Sequence, residues 1–202
     1  VSSAASDVYK RQEYGGYFIG GLINLVNGQG TYTNTVKLKN NGDVDTTFRC
    51  YIGNLDAVTM QPDGRLVGVR GAEPGSGAPD EIVRFSLNGL QDSVLGTYTG
   101  NNVVEMYAQQ DGKILLIGGF TGYTVFNTTN TLPVNRIFRL LSNGALDPSF
   151  DPGSGPDNDI TCSQFNADGS ILLGGTFGNF NGQSRTYIAR LTNSGLPFVV
   201  LS

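Results

Sequence analysis

The chain has 202 residues, ample for one ordinary globular body and marginal for two; only 15% are charged and 29 are glycine, a mix that suits short strands joined by turns. Its 17 acidic against 13 basic residues give a formal charge of −4, which argues against nucleic acid as a partner because phosphate-tracking surfaces depend on clustered Lys and Arg. Histidine is absent, which removes His-based triads, His general bases and His-ligated metal sites, and the two cysteines, Cys50 and Cys162, have no Cys-x-x-Cys partner and read as separate buried thiols.

Residues 1–12 (VSSAASDVYKRQ) match no later stretch and resemble the translated adapter sequence found at the ends of assembled environmental reads. They are set aside from the fold, and they point to a metagenomic source. No recognisable signal peptide follows, and no apolar run approaches the roughly 18 residues of a membrane span.

From residue 13 the chain repeats itself. The first repeat opens on a degraded copy, Gly16-Tyr17-Phe18-Ile19-Gly20-Gly21, followed by a polar stretch, Asn27 to Asn34, and by Val36-Lys37-Leu38 before an Asn41-Gly42 turn. The second carries Pro62-Asp63-Gly64 between Ala57-Val58-Thr59-Met60 and Leu66-Val67, then Val83-Arg84-Phe85 before Asn88-Gly89. Pro sets φ at the first central position of a type I turn and Gly takes the left-handed site after it, so Pro62 to Gly64 predicts one hairpin and Asn88-Gly89 a second. Two hairpins make a four-stranded unit.

The third repeat has the clearest copy, Asp111-Gly112 followed by Ile114-Leu115-Leu116-Ile117-Gly118-Gly119, then Phe138-Arg139-Leu140 before Asn143-Gly144. Between them lies an insertion, Tyr123 to Pro133. The fourth repeat has Asp168-Gly169, Ile171 to Gly175, the loop Asn179 to Ser184, and Ala189-Arg190-Leu191 before Ser194-Gly195. Gly42, Gly89, Gly144 and Gly195 are thus spaced by 47, 55 and 51 residues, the period of propeller blades.

Runs such as Ile114 to Ile117 are apolar on both faces, so both faces of each small sheet must be covered, and stacking units around an axis does this. The paired glycines Gly118-Gly119 and Gly174-Gly175 mark a bend or a close backbone approach. The fold class is all-β, a β-propeller-like array of about four repeats of four-stranded antiparallel blades, forming one repeat domain over residues 13–202. Its repeats are expected near 13–53, 54–101, 102–158 and 159–202. Because the first repeat lacks a strand before its turn, roughly three and a half blades of a larger propeller are expected, with a four-blade ring as the alternative.

The strings QPDGRLVGV (61–69), QQDGKILLIGGF (109–120) and NADGSILLGGTF (166–177), with an Ile188-Ala189-Arg190-Leu191 strand and NGALDPSFDPGSG (143–155), resemble the delta-sixty (delta-60) repeat. The resemblance implies β-propellers of secreted or surface bacterial proteins, with similar repeats in phage tail and fibre proteins. It implies a scaffold and brings no catalytic residues or cofactor.

Candidate sites are few. The recurrent bases Lys37, Arg84, Arg139 and Arg190 read either as a ring for an anionic ligand or as internal struts, each pairing with a carboxylate. Asp63, Asp111 and Asp168 read as turn residues whose side chains bond nearby amides, with metal binding as the alternative. The acidic segment Asp147 to Asp159 could offer oxygens to Ca²⁺ but lacks the EF-hand order of ligands, and a Pro-fixed connection serves equally. Loop aromatics Tyr123, Phe126 and Phe180, with Asn127, are the candidate binding residues, the rings stacking on sugars while amides bond hydroxyls; packing of the rings onto their own blade is the alternative. Asn127-Thr128-Thr129 is also a glycosylation sequon. These features predict a non-enzymatic scaffold, extracellular, on the cell surface or in a virion, presenting its loops to a glycan or protein partner. The alternatives are an assembly unit of a fibre or tail, self-associating through open ends, and a carbohydrate-active enzyme working with two carboxylates.

Overall fold

The structure, a computed structural model, describes residues 17–20, 35–50, 55–72 and 75–198. Residues 1–12, the polar stretch from Asn27 to Asn34 and the C-terminal four residues lie outside the described part. The described residues form strands and turns with no helix, and every recorded strand pairing is antiparallel.

The chain forms two compact units, residues 1–95 and 96–202, divided within one long strand. The first unit contains β1 (Tyr17–Gly20) paired with β2 (Thr35–Leu38), and a meander of β3 (Leu55–Met60), β4 (Leu66–Arg70) and β5 (Asp80–Phe85). The start of β6 (Gln91–Ala108) lies beside β5. In the second unit the rest of β6 pairs with β7 (Ile114–Val125), whose far half pairs with β8 (Thr131–Pro133) and whose near half pairs with β9 (Ile137–Leu140). A second meander there is β10 (Ile160–Phe165), β11 (Ile171–Gly175) and β14 (Ile188–Leu191), with β12 (Asn179–Phe180) and β13 (Gln183–Ser184) as a small hairpin between.

The register is written four times. Lys37, Arg84, Arg139 and Arg190 stand opposite Phe18, Val67, Leu115 and Leu172. Seven turns share one construction, in which the glycine amide donates to the carbonyl three residues back, from Gly42 N to Lys39 O through Gly195 N to Thr192 O. Each of these glycines has φ between +79° and +90°, a conformation that costs a residue with a Cβ roughly 1–2 kcal/mol. The preceding Asp or Asn side chain accepts the amide two residues on in six of them, as Asp63 Oδ1 does from Arg65 N and Asn143 Oδ1 from Ala145 N. The turn aspartates are therefore occupied by their own backbone. Asn88-Gly89 is a turn of this wider type; the two-residue hairpin geometry appears at Asn181-Gly182, where both residues have positive φ.

The fourth strand departs from the expectation. Among the described residues only the second repeat has one of any length, at the start of β6, whereas in the others a single bridge stands there: Leu38 with Val44, Leu140 with Leu146, Leu191 with Pro197. The first strands of repeats two to four each carry a bulge, at Asp56, Val104 and Thr161. Opposite it stand Arg70, Gly118 and Gly175, so the two glycine pairs share one equivalent position rather than two. A Cβ at Gly118 would overlap the carbonyl of Asn102, and one at Gly175 that of Asp159. Backbone crowding selects glycine there. In repeat two Arg70 avoids the crowding and reaches Glu81 and Gln91.

Both faces of β4 and of the near half of β7 are covered, and Ile114, Leu115, Leu116 and Ile117 are wholly buried. In the second unit Leu115, Ile117, Ile137 and Phe150 of repeat three pack against Ile160, Ile171, Leu173, Phe177, Phe180 and Leu191 of repeat four. The first unit packs Phe48 and Cys50 of repeat one against Leu55, Val58, Leu66, Val83 and Phe85 of repeat two. Phe48 and Phe150 occupy the same place, six residues after the turn glycine. The residue following each then donates its amide to the turn of the next repeat, Arg49 N to Asn88 O at 2.7 Å and Asp151 N to Ser194 O at 2.8 Å. Cys50 is buried and Cys162 exposed, and neither is in a disulfide. The expectation of two buried thiols thus fails at Cys162, whose side chain lies on the outer face of repeat four.

The recurrent bases are struts. Lys37 pairs with Asp45 at 3.4 Å, Arg84 with Asp92 at 3.0 Å and Arg139 with Asp147 at 2.7 Å, each carboxylate eight residues on. Repeat four has Phe198 at the acid's place, and Arg190 pairs instead with Asp168 at 2.8 Å and lies 4.6 Å over the Phe198 ring. Arg139 and Asp147 are each only 3% exposed in their side chains, whereas Arg190 is 49% exposed. The Arg139 guanidinium also donates to Asn193 O at 2.6 Å and to Ser149 Oγ at 3.1 Å, tying repeat three to the turn of repeat four. Removing one partner of a buried pair leaves an uncompensated charge, so Asp147→Asn is expected to cost about 3 kcal/mol in urea unfolding. Arg190→Ala, at a solvated pair, should shift the midpoint far less.

Candidate functional site

The insertion from Tyr123 to Pro133 is a hairpin continuous with the sheet. Gly122, Tyr123 and Thr124 of β7 pair on one side with Pro133, Leu132 and Thr131 of β8 and on the other with Thr99, Tyr98 and Thr97 of β6. Thr and Tyr suit such a pleated ribbon, and Thr124 and Thr131 join hydroxyls across it at 2.8 Å. The tip is residues 126–130. There the Thr128 amide and hydroxyl both bond Val125 O, at 3.1 and 2.8 Å, and Asn127 takes φ +61°, which Asn tolerates better than most residues.

The candidate aromatics divide. Phe126 is at the tip and 50% exposed, among exposed Asn127, Thr128, Thr129 and Asn130. Tyr123 is wholly buried, its ring 5.1 Å from that of Phe138 and its hydroxyl donating to Gly144 O at 2.6 Å. Burial pushes the Tyr123 phenol far up. Phe180 is also wholly buried, edge-on to Phe177 at 6.3 Å. The expectation that Tyr123 and Phe180 present a stacking surface is therefore corrected: both are core residues that fasten their loops, and only Phe126 and Asn127 stand free for contact. Gly96 makes room for the Tyr123 ring, since a Cβ there would strike the phenol. That one small residue is the only mark of the arrangement in the sequence, and it acquires meaning only through the register that sets β6 beside β7.

The acidic segment is spread over local tasks. Asp147 Oδ1 accepts from the Ser149 amide and hydroxyl, Asp151 Oδ1 from Gly153 N, and Asp157 from the Gly178 and Asn179 amides, while Asp159 pairs with Arg136 at 3.2 Å. Among the described residues no three acidic or cysteine side chains come together to hold an ion. A polar cluster that the sequence did not announce joins the first strands of repeats three and four. Ser163 Oγ donates to Glu105 Oε2 at 2.6 Å, and Tyr107 donates its hydroxyl to the same oxygen.

Antiparallel sheets repeated at about fifty residues, packed face on face and tied turn to turn, are the construction of a β-propeller. Two segments, residues 109–150 and 166–197, match the family model described as "Domain of unknown function (DUF5122) beta-propeller", a delta-60-type repeat family. They cover the third and fourth repeats from turn to turn. No match is found among curated proteins. No helix of the described residues is long and apolar enough to cross a membrane, which says nothing of strands that do so.

Tyr123→Ala and Phe180→Ala should each cost about 3 kcal/mol or more in chemical unfolding, as large-to-small core changes do. Phe126→Ala should stay within about 0.5 kcal/mol of the parent. Burial alone would raise the Asp147 carboxyl, but the Ser149 hydroxyl and amide and the Arg139 guanidinium overcome it and hold the group at about 2. A depressed carboxyl contributes stability that is complete above its unfolded value near about 3.9 and is lost as pH falls through about 2. Thermal midpoints measured from about pH 5 down to about pH 2 should drop more steeply for the parent than for Asp147→Asn.

Proposed function

We propose that the protein is a non-enzymatic interaction scaffold that works outside the cell or in a virion and presents the β7–β8 hairpin to a glycan or protein partner. The observation that carries this reading is Phe126, half exposed at the tip of a hairpin whose root is held by buried Tyr123. A rigid stem makes it cheap in entropy to hold a ring where a partner can meet it. Asn127, Thr128, Thr129 and Asn130, all exposed, follow that ring along the tip, a combination able to cover a sugar face and bond its hydroxyls. Glycan-array binding by the whole chain, compared with Phe126→Ala and Asn127→Ala, tests it. A glycan retained by the parent should be weakened about tenfold by loss of the ring. Undiminished binding in the double variant would sink the hairpin reading.

A second reading, an assembly unit, draws on the outer face of repeat four. Leu172 and Ile188 are 38% and 58% exposed, although their counterparts in repeat three, Leu115 and Ile137, are buried beneath repeat four. An apolar face of this kind is built to be covered. Sedimentation of the chain over a range of concentrations decides it, and a strictly monomeric species throughout would discard self-association.

A further inference from the structure

The outer edge of β9 adjoins a cavity of about 490 Å³, lined on one side by the strand and the loop before it and on the other by the segment Leu146 to Ser154. Three consecutive strand residues, Ile137, Phe138 and Arg139, reach it. Side chains of a strand alternate between faces, so a cavity touched by three in a row lies along the strand's edge.

The hydrogen bonds show which main-chain groups point there. Arg136 O accepts from Gly118 N, across the ladder to β7, whereas Arg139 O accepts from Asp147 N and Leu141 N donates to Ala145 O, both on the far side. By alternation the N–H and C=O of Ile137 and the N–H of Arg139 face away from β7, toward the cavity, and no main-chain partner among the described residues stands opposite them. Ile137 and Arg139 are themselves almost wholly buried, and main-chain groups of buried residues are rarely left without partners.

The second repeat shows what such an edge accepts. There the chain continues after its turn as the start of β6 and covers β5. In the third repeat the equivalent segment leaves after the Leu140–Leu146 bridge, because Asp147 folds back on Ser149 and Pro148 and Pro152 lack a donor. The vacated lane is walled by Val134, Phe138, Leu146, Pro148 and Phe150, which suit an apolar side chain. Of its two carboxylates, Asp147 is neutralised by Arg139 and Lys113, while Asp151 forms no ion pair among the described residues.

We propose that this edge is a docking site for an extended polypeptide segment of another molecule, carrying an apolar residue flanked by a basic one, which adds to β9 as the missing fourth strand of the blade. Main-chain hydrogen bonds hold the segment, the cavity takes its apolar side chain, and Asp151 takes its cation. The site is separate from the hairpin tip, so the Phe126 and Asn127 variants should leave it unchanged.

The test is a titration of the isotopically labelled whole chain with a capped octapeptide of alternating valine and lysine, read by amide shifts. Saturable shifts should centre on Ile137 and Arg139, whose amides should also exchange with solvent about tenfold more slowly when the site is full. A peptide alternating valine and glutamate should bind about tenfold more weakly. One N-methylated at alternate residues, unable to donate along one edge, should not bind, and this control needs no change to the protein. Val134→Trp, which fills the cavity from its loop side, should abolish binding with the fold intact by circular dichroism. Shifts that map away from β9, no shift at millimolar peptide, equal binding of the glutamate peptide, or full binding of the N-methylated one would each overturn the proposal.

Discussion

The Arg139–Asp147 pair is the interaction on which the second unit turns. A guanidinium that is almost wholly buried needs partners for its donors, and they come from three pieces of chain: Asp147 and Ser149 beyond its own turn, Gln109 before the first turn of its repeat, and Asn193 of the next repeat. One side chain therefore fixes where the third strand ends, how the connection after it leaves, and how the following turn sits. The Phe150 ring, 4.9 Å beneath the guanidinium, is carried by the same turn of chain into the core shared by repeats three and four. The charge tolerates burial because each of its three nitrogens donates a hydrogen bond, and the apolar core gains an anchor because the charge is held.

The other repeats show what happens as this device is relaxed. Lys37 and Arg84 keep the acid eight residues on but are more open to solvent. Arg190 has lost that acid to Phe198, takes Asp168 instead, and lies half exposed on a face that no other part of the described second unit covers. Burial of the strut thus depends on a neighbouring repeat as much as on the strut's own sequence, since Asn193 is what closes over Arg139. The same dependence separates Leu115 and Ile137 from Leu172 and Ile188, nearly identical in kind and opposite in exposure.

Variation on this scaffold falls where the repeat is least constrained. In repeats two and three the second and third strands have little freedom, because they are covered on both faces. The connection between them can, and in repeat three it grows into the β7–β8 hairpin, while in repeat four it becomes the small β12–β13 hairpin closed by Asn181-Gly182. The fourth strand is the other free variable. Among the described residues it is a strand in repeat two and a single bridge elsewhere, and its loss in repeat three opens the edge of β9.

Local signals were strong enough in the sequence to announce all-β structure, the fifty-residue period, the seven turns and the strut positions. Each of these rests on a few adjacent residues: a glycine that needs positive φ, an Asx side chain that bonds two residues on, a base flanked by apolar neighbours. Tertiary structure alone decided which aromatics are available. Tyr123 and Phe180 share the polar surroundings in sequence that Phe126 has, yet register puts Gly96 beside Tyr123 and sets Phe180 against Phe177, so two rings enter the core and one does not. It also decided which cysteine is covered and which strand edge is left open, because burial and pairing are properties of what the fold brings alongside a residue, and the residue itself carries no record of that neighbour.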